Sequence, residues 1–141
     1  MAITLSDEAR QYIALFEEVT EVAARDCLVD DEHDRLVFVV PPGEMGQAIG
    51  PGGTRVAKVE EKLGRSVELI EGADDPEAFV ANALAPAAVY NVTISSGETV
   101  VAYAEVDRND RGVAIGSGGK NIELARQLAK RHFDIDDIEL T

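Results

Sequence analysis

The chain has 141 residues, 45% of them hydrophobic, with a single cysteine, Cys27. That length suits one ordinary domain or two small ones. The apolar fraction excludes a disordered chain, and one cysteine excludes a disulfide framework and a multi-cysteine metal cluster. The formal net charge of −14, from 27 acidic and 13 basic residues, taken alone argues against a nucleic-acid ligand.

Ser6, followed by Asp7 and Glu8, predicts a helix start, with Ile13, Leu15, Phe16 and Val19 as its apolar stripe. Residues 21–29 alternate loosely and predict a strand holding a buried, unreactive Cys27. Asp30 to Asp34 is a charged turn, and Arg35 to Val40 is a strand by its β-branched content. Pro41-Pro42-Gly43 breaks that strand. A short helix near Glu44–Ile49 then leads to Gly50-Pro51-Gly52-Gly53. A second helix runs to Leu63 and is closed by Gly64, and Ser66 to Glu71 alternates as a strand.

The order then starts again. Asp75-Pro76 opens a helix that Pro86 ends. Val89 to Ser95 and Thr99 to Val106 predict a hairpin with Ser96-Gly97 as a two-residue turn. A short helix near Arg111–Ile115 meets Gly116-Ser117-Gly118-Gly119. A helix to His132 follows, and residues 133–140 are expected to hold the last strand.

Ala48-Ile49-Gly50-Pro51-Gly52-Gly53-Thr54-Arg55-Val56 and Ala114-Ile115-Gly116-Ser117-Gly118-Gly119-Lys120-Asn121-Ile122 are one phrase, A-I-G-x-G-G-x-x-(V/I), written twice, 66 residues apart. Such a repeat fixes architecture. An α+β chain of two tandem units, residues 1–72 and 73–141, is expected, each ordered helix–strand–strand–helix–helix–strand.

The charge has a second reading. Acidic residues are spread throughout and lysine is scarce, as in proteins that stay soluble in molar salt. At about 1 M salt the Debye length is about 3 Å, so the position of each cation matters more than the total. Arg55, Lys58, Lys62 and Arg65 follow the first glycine loop, and Arg108, Arg111, Lys120, Arg126, Lys130 and Arg131 surround the second. Ion pairing along the helix surfaces, as between Lys58, Lys62 and Glu60, Glu61, is the plainer account of any one of them.

A helix–Gly-x-x-Gly–helix turn lets a foreign backbone approach, because Cβ is absent. The amides that open the next helix favour negative charge. Together these make a clamp for a sugar–phosphate chain. Gly50, Gly53, Gly116 and Gly119 are expected to permit the approach, with Gly52 and Gly118 widening it. Ser117 can donate to a phosphate whereas Pro51 cannot. Arg55, Lys58, Lys120 and Asn121 are the expected phosphate or sugar contacts. An adjacent groove between helix and sheet can hold unstacked bases. Ile49, Val56, Ile115 and Ile122 are assigned to the core, with the floor of such a groove as their alternative. A phosphate-binding P-loop would need a preceding strand and a following Lys-Ser/Thr, and a dinucleotide fingerprint would need a parallel βαβ order; neither is present. A helix–helix turn without a ligand explains one copy better than two in register.

This order, with Ile-Gly-x-x-Gly-x-x-(Ile/Val), resembles the type II KH fold, αββααβ. Gly50 through Ile70, with Gly-Thr-Arg-Val and then Glu-Lys-Leu-Gly, resembles the first KH module of the NusA transcription factors; Ala114 through Leu128 is similar to the second. Without room for the N-terminal polymerase-binding and S1 domains of bacterial members, the chain resembles the short archaeal form. The resemblance implies binding of single-stranded RNA and a part in transcription termination or elongation control, with RNA polymerase or other transcription factors as further partners.

No catalytic site and no cofactor are expected. His33 lies in an acidic turn and His132 at a helix end, neither with a second ligand at metal spacing. Ser117 lacks a neighbouring histidine and the strand-to-helix elbow of a hydrolase. No stretch approaches the ~18 apolar residues of a membrane span, and Met1-Ala2-Ile3-Thr4-Leu5 does not read as a leader peptide, so a cytoplasmic protein is expected. The alternative is a KH-like module that docks on polymerase or ribosome through its acidic surface without binding RNA.

Overall fold

The computed structural model describes residues 3–141. Met1 and Ala2, on which the reading of the N-terminus partly rests, lie outside the described residues. Thr4–Gly72 and Ala73–Thr141 form two compact units.

In the first, α1 (Asp7–Thr20) is capped by Ser6, whose Oγ accepts the Ala9 N–H at 3.1 Å. It stops at Glu21, whose backbone is left-handed (φ 61°) and whose N–H closes on the Glu17 carbonyl. That stop explains why the strand read over 21–29 is shorter: β1 is Asp26–Asp30, and Val22 and Ala24 are buried from a connecting segment. A tight segment hides apolar side chains in alternation as a strand does, so the pattern alone could not place the boundary. β1 pairs antiparallel with β2 (Arg35–Val40), which pairs parallel with β3 (Ser66–Glu71), giving the order β1-β2-β3. Between β2 and β3 lie α2 (Met45–Ile49) and α3 (Thr54–Leu63). Leu36, Phe38 and Val40 of β2 meet Phe16, Val22, Ala48 and Val59 in the core, with the rings of Phe16 and Phe38 stacked at 4.4 Å.

Cys27 sits in this core, and burial, reinforced by Asp26 and Glu8, pushes its thiol up to about 12. It is a packing residue, protonated at neutral pH.

The second unit repeats the plan with α4 (Pro76–Ala83), β4 (Val89–Ser96), β5 (Val100–Val106), α5 (Arg111–Ile115), α6 (Lys120–Phe133) and β6 (Asp137–Leu140). The Asp75 carboxylate caps α4 at the Ala78 N–H, with Pro76 in its first turn. Its sheet has the order β4-β5-β6, antiparallel then parallel. The two-residue turn at Ser96-Gly97 is not formed. Ser96 pairs with Val100, and Gly97, Glu98 and Thr99 make the connection, closed by Gly97 N–H on the Thr99 carbonyl at 3.1 Å. The last strand is also shorter than 133–140, because α6 continues through Phe133, which packs on Phe79, and ends at a left-handed Asp134. Each unit thus has the αββααβ order of a type II KH domain, with a three-stranded sheet and three helices.

Candidate nucleic-acid interface

The two glycine loops have one geometry. α2 ends at Gly50 (φ 77°, ψ 169°) and α5 at Gly116 (φ 78°, ψ 170°), a region essentially confined to glycine. A single 3-10 turn follows in each, Pro51–Gly53 and Ser117–Gly119, and α3 and α6 begin directly after it. The N–H of Gly53 closes on the Gly50 carbonyl and that of Gly119 on the Gly116 carbonyl, both at 3.1 Å.

The glycines divide into two kinds. A Cβ on Gly50 would lie 2.7 Å from Arg55 Cγ and 3.0 Å from the Arg55 backbone nitrogen; one on Gly116 would lie 2.7 Å from the Asn121 backbone nitrogen. These two let the protein's own helices approach. Cβ atoms on Gly52, Gly53 and Gly118 would meet nothing within 4 Å, and one on Gly119 would come 3.5 Å from Glu123 Oε1. The open face of each loop is therefore its middle and end, where Pro51, Gly52, Ser117 and Gly118 are exposed.

The side chains after the loops also divide. Arg55 Nη1 donates to the Gln47 carbonyl at 3.0 Å, and Asn121 Nδ2 donates to the Ala114 carbonyl at 3.2 Å and the Val113 carbonyl at 3.4 Å. Both reach back across the loop. Lys58 lies exposed one turn along α3, and Lys120 opens α6. Several of the clustered cations are held by carboxylates: Arg65 by Asp31 and Asp34, Arg126 by Asp137, Lys130 by Asp134 and Asp136. The hydrogen bonds that Lys130 donates to Asp134 and Asp136 raise its ammonium above the ordinary range. Lys58 and Lys62 have no ion pair to the neighbouring Glu60 and Glu61; Glu60 accepts the Val67 N–H at 2.9 Å instead.

The assignment of all four loop-flanking aliphatics to the core is corrected for two of them. Ile122 is buried and Val56 half-buried, but Ile49 and Ile115 are 37% and 40% exposed. Each is the last residue of a five-residue helix and directly precedes a loop glycine, where the chain turns outward. In the second unit, Ile115 enters a groove of about 480 Å³ between α5, α6 and the edge strand β6, floored by Ile115, Ile122 and Leu140 and flanked by Arg111, Glu123, Arg126 and Glu139. A groove between helix and sheet beside the loop is what the sequence leads one to expect, but its charged lining is not. The signal for that lining was the spacing of Gly119, Ile122, Glu123 and Arg126 on one face of a helix, opposite Arg111 and Ile115 one turn apart.

A family model described as "NusA-like second KH domain" matches residues 76–141, and one described as "KH domain" matches residues 10–90. The chain is 64% identical to the "Probable transcription termination protein NusA" of Halobacterium salinarum, over all of both chains. The chain belongs to the NusA-like family of KH-domain proteins. It is also 37% identical to the protein of the same description from Methanocaldococcus jannaschii, over 98% of this chain and 75% of the relative. The crystal structure of APE1850 superposes with a TM-score of 0.87 at 33% identity, over 97% of this chain and 100% of the other.

As a NusA-like protein with relatives in Halobacterium and Halococcus, the chain fits the salt-adapted reading of its charge. Among the described residues no helix is long and apolar enough to cross a membrane.

Proposed function

We propose that this chain is a single-stranded-RNA-binding factor of transcription termination or elongation, acting in the cytoplasm without catalysis. Its KH domains span residues 1–72 and 73–141. Each grips the RNA backbone at the open part of its Gly-x-x-Gly loop: Pro51, Gly52 and Gly53 in the first, Ser117, Gly118 and Gly119 in the second. Lys58 and Lys120 supply positive charge, while Arg55 and Asn121 hold the loops in shape. Gly50 and Gly116 serve the turn itself. RNA polymerase or other transcription factors are the partners through which binding acts.

The observation that carries this reading is the empty space beside Gly52, Gly53 and Gly118, at loops that lead straight into α3 and α6. A phosphate there meets the N-terminal amides of a helix and no protein Cβ. In molar salt the net charge of −14 is screened beyond contact distance, so the local donors decide the outcome.

The test is a fluorescence-anisotropy titration of a labelled single-stranded RNA in molar KCl, comparing the parent chain with Gly52→Asp/Gly118→Asp. Aspartate is among the side chains that best tolerate the left-handed backbone of these positions, and the circular dichroism of the variant checks that it is folded. A carboxylate against the phosphate should weaken binding by at least ~10-fold, the equivalent of ~1.4 kcal/mol. Equal affinities would remove the loops from the interface.

A further inference from the structure

We propose that the groove of the second unit selects guanine, through Arg111 and Glu123. This rests on the RNA reading above and adds the identity of a base.

The groove sets Arg111 and Glu123 beside an apolar floor, with Glu139 of β6 as a second lining carboxylate. Arg111 stands on α5, one turn before Ile115, and Glu123 on α6, one turn after Gly119. The third charged group of the helices, Arg126, is committed: its guanidinium lies 2.8 Å from Asp137 and donates to the Ile138 carbonyl at 3.1 and 3.3 Å. Arg111 and Glu123 carry no ion pair, with each other or with any other described residue, although they line the same groove. Both are exposed, so a ligand can reach them.

An arginine offers only donors and an ionised glutamate only acceptors. Guanine matches that pair. Its O6 and N7 accept from a guanidinium, as they do in the commonest arginine–base contact. Its N1–H and N2 amino group both donate, side by side, to a carboxylate. Adenine puts a donor where O6 would be and turns the bare N1 acceptor toward the carboxylate. Uracil offers one donor between two acceptors, and cytosine one amino group beside the acceptors N3 and O2. Unstacked bases in single strands are read on these edges while a face rests on apolar or aromatic side chains. Ile115, Ile122 and Leu140 provide that floor.

The first unit cannot do the same. The 66-residue repeat places Met45 at the position of Arg111 and Ala57 at that of Glu123. Glu60, at the position of Arg126, is held by the Val67 N–H at 2.9 Å. Guanine selection therefore belongs to the second module alone.

The experiment uses the full chain in molar KCl and a labelled short adenylate strand, all-adenine or with one internal guanine, inosine or 7-deazaguanine. The guanine strand should bind ~10-fold more tightly than the all-adenine strand. Inosine, which lacks the N2 amino group, and 7-deazaguanine, which lacks N7, should each lose part of that gain. In Glu123→Gln and in Arg111→Met the guanine-to-adenine ratio should fall to about twofold or less. Parent protein that binds both strands equally, or variants that keep the full ratio, would overturn guanine selection and leave RNA binding intact. Absence of binding to every strand would overturn the RNA reading itself and this proposal with it.

Discussion

Arg55 and Asn121 occupy the same position in the two glycine loops and make the same bond with different chemistry. Arg55 Nη1 donates to the Gln47 carbonyl at 3.0 Å, and Asn121 Nδ2 donates to its counterpart, the Val113 carbonyl, at 3.4 Å. Gln47 and Val113 are themselves 66 residues apart, the period of the repeat. In each unit the first turn of the long helix is thus tied to the last turn of the short one, across a loop whose glycine at the tie has no Cβ to obstruct it. Asn121 makes the wider tie, since its amide also reaches the Ala114 carbonyl at 3.2 Å.

Asn121→Ala removes this tie and leaves carbonyls of α5 without their donor. The cost should be about 1 kcal/mol, the ordinary net worth of a partly buried hydrogen bond. Urea unfolding in molar KCl reads it directly. Unchanged stability would show that the tie contributes nothing.

Gly116→Ala and Gly118→Ala should separate although they lie two residues apart. At Gly118 a methyl group meets open space, and its left-handed backbone (φ 63°) costs alanine roughly 1–2 kcal/mol. At Gly116 the backbone (φ 78°, ψ 170°) lies where glycine alone is at ease, and the methyl would sit 2.7 Å from the Asn121 backbone nitrogen. That substitution should cost roughly 3 kcal/mol or more, and it should lower the melting temperature well below that of Gly118→Ala. Similar melting temperatures would mean that Gly116 is not the tight point of the turn.

Arg35 is 2% exposed, between Asp30 at 2.7 Å and Glu68 at 2.8 Å. Burial works to raise the Asp30 carboxyl, but the Arg35 hydrogen bond and the His33 N–H outweigh it and hold the group below its ordinary 3.8. A depressed folded value means that the stabilisation is complete above 3.8 and is lost as the pH falls through the lower, folded value. Asp30→Asn should therefore cost roughly 2 kcal/mol at neutral pH, less than the ~3–5 of a fully buried pair because Glu68 still faces Arg35. It should also flatten the loss of stability on acidification below pH ~4. Denaturant midpoints for parent and variant across the acid range check both; parallel curves would rule the pair out as a source of the acid dependence.

Local chemistry made much of the fold readable. Ser6 and Asp75 cap the helices they were expected to open, Gly64 ends α3 in a left-handed turn, and Pro41-Pro42-Gly43 closes β2. Boundaries shifted where one residue took a left-handed backbone that composition does not announce, as at Glu21 and Asp134. The loops were legible as repeats, but their division of labour was not. Ile49 and Ile115 read as core because they are aliphatic and follow a buried alanine; only the direction of the chain at the end of a five-residue helix turns them outward.

The sequence by itself determined the duplication, the element order and the two glycine turns, because capping, β-branching and a fixed 66-residue period are properties of neighbouring residues. Tertiary structure alone decided which glycines face the protein and which face solvent, which cations carboxylates hold, and where a groove opens beside Arg111 and Glu123. Those outcomes depend on distances between segments far apart along the chain, such as β6 against α5, and no local pattern encodes such distances.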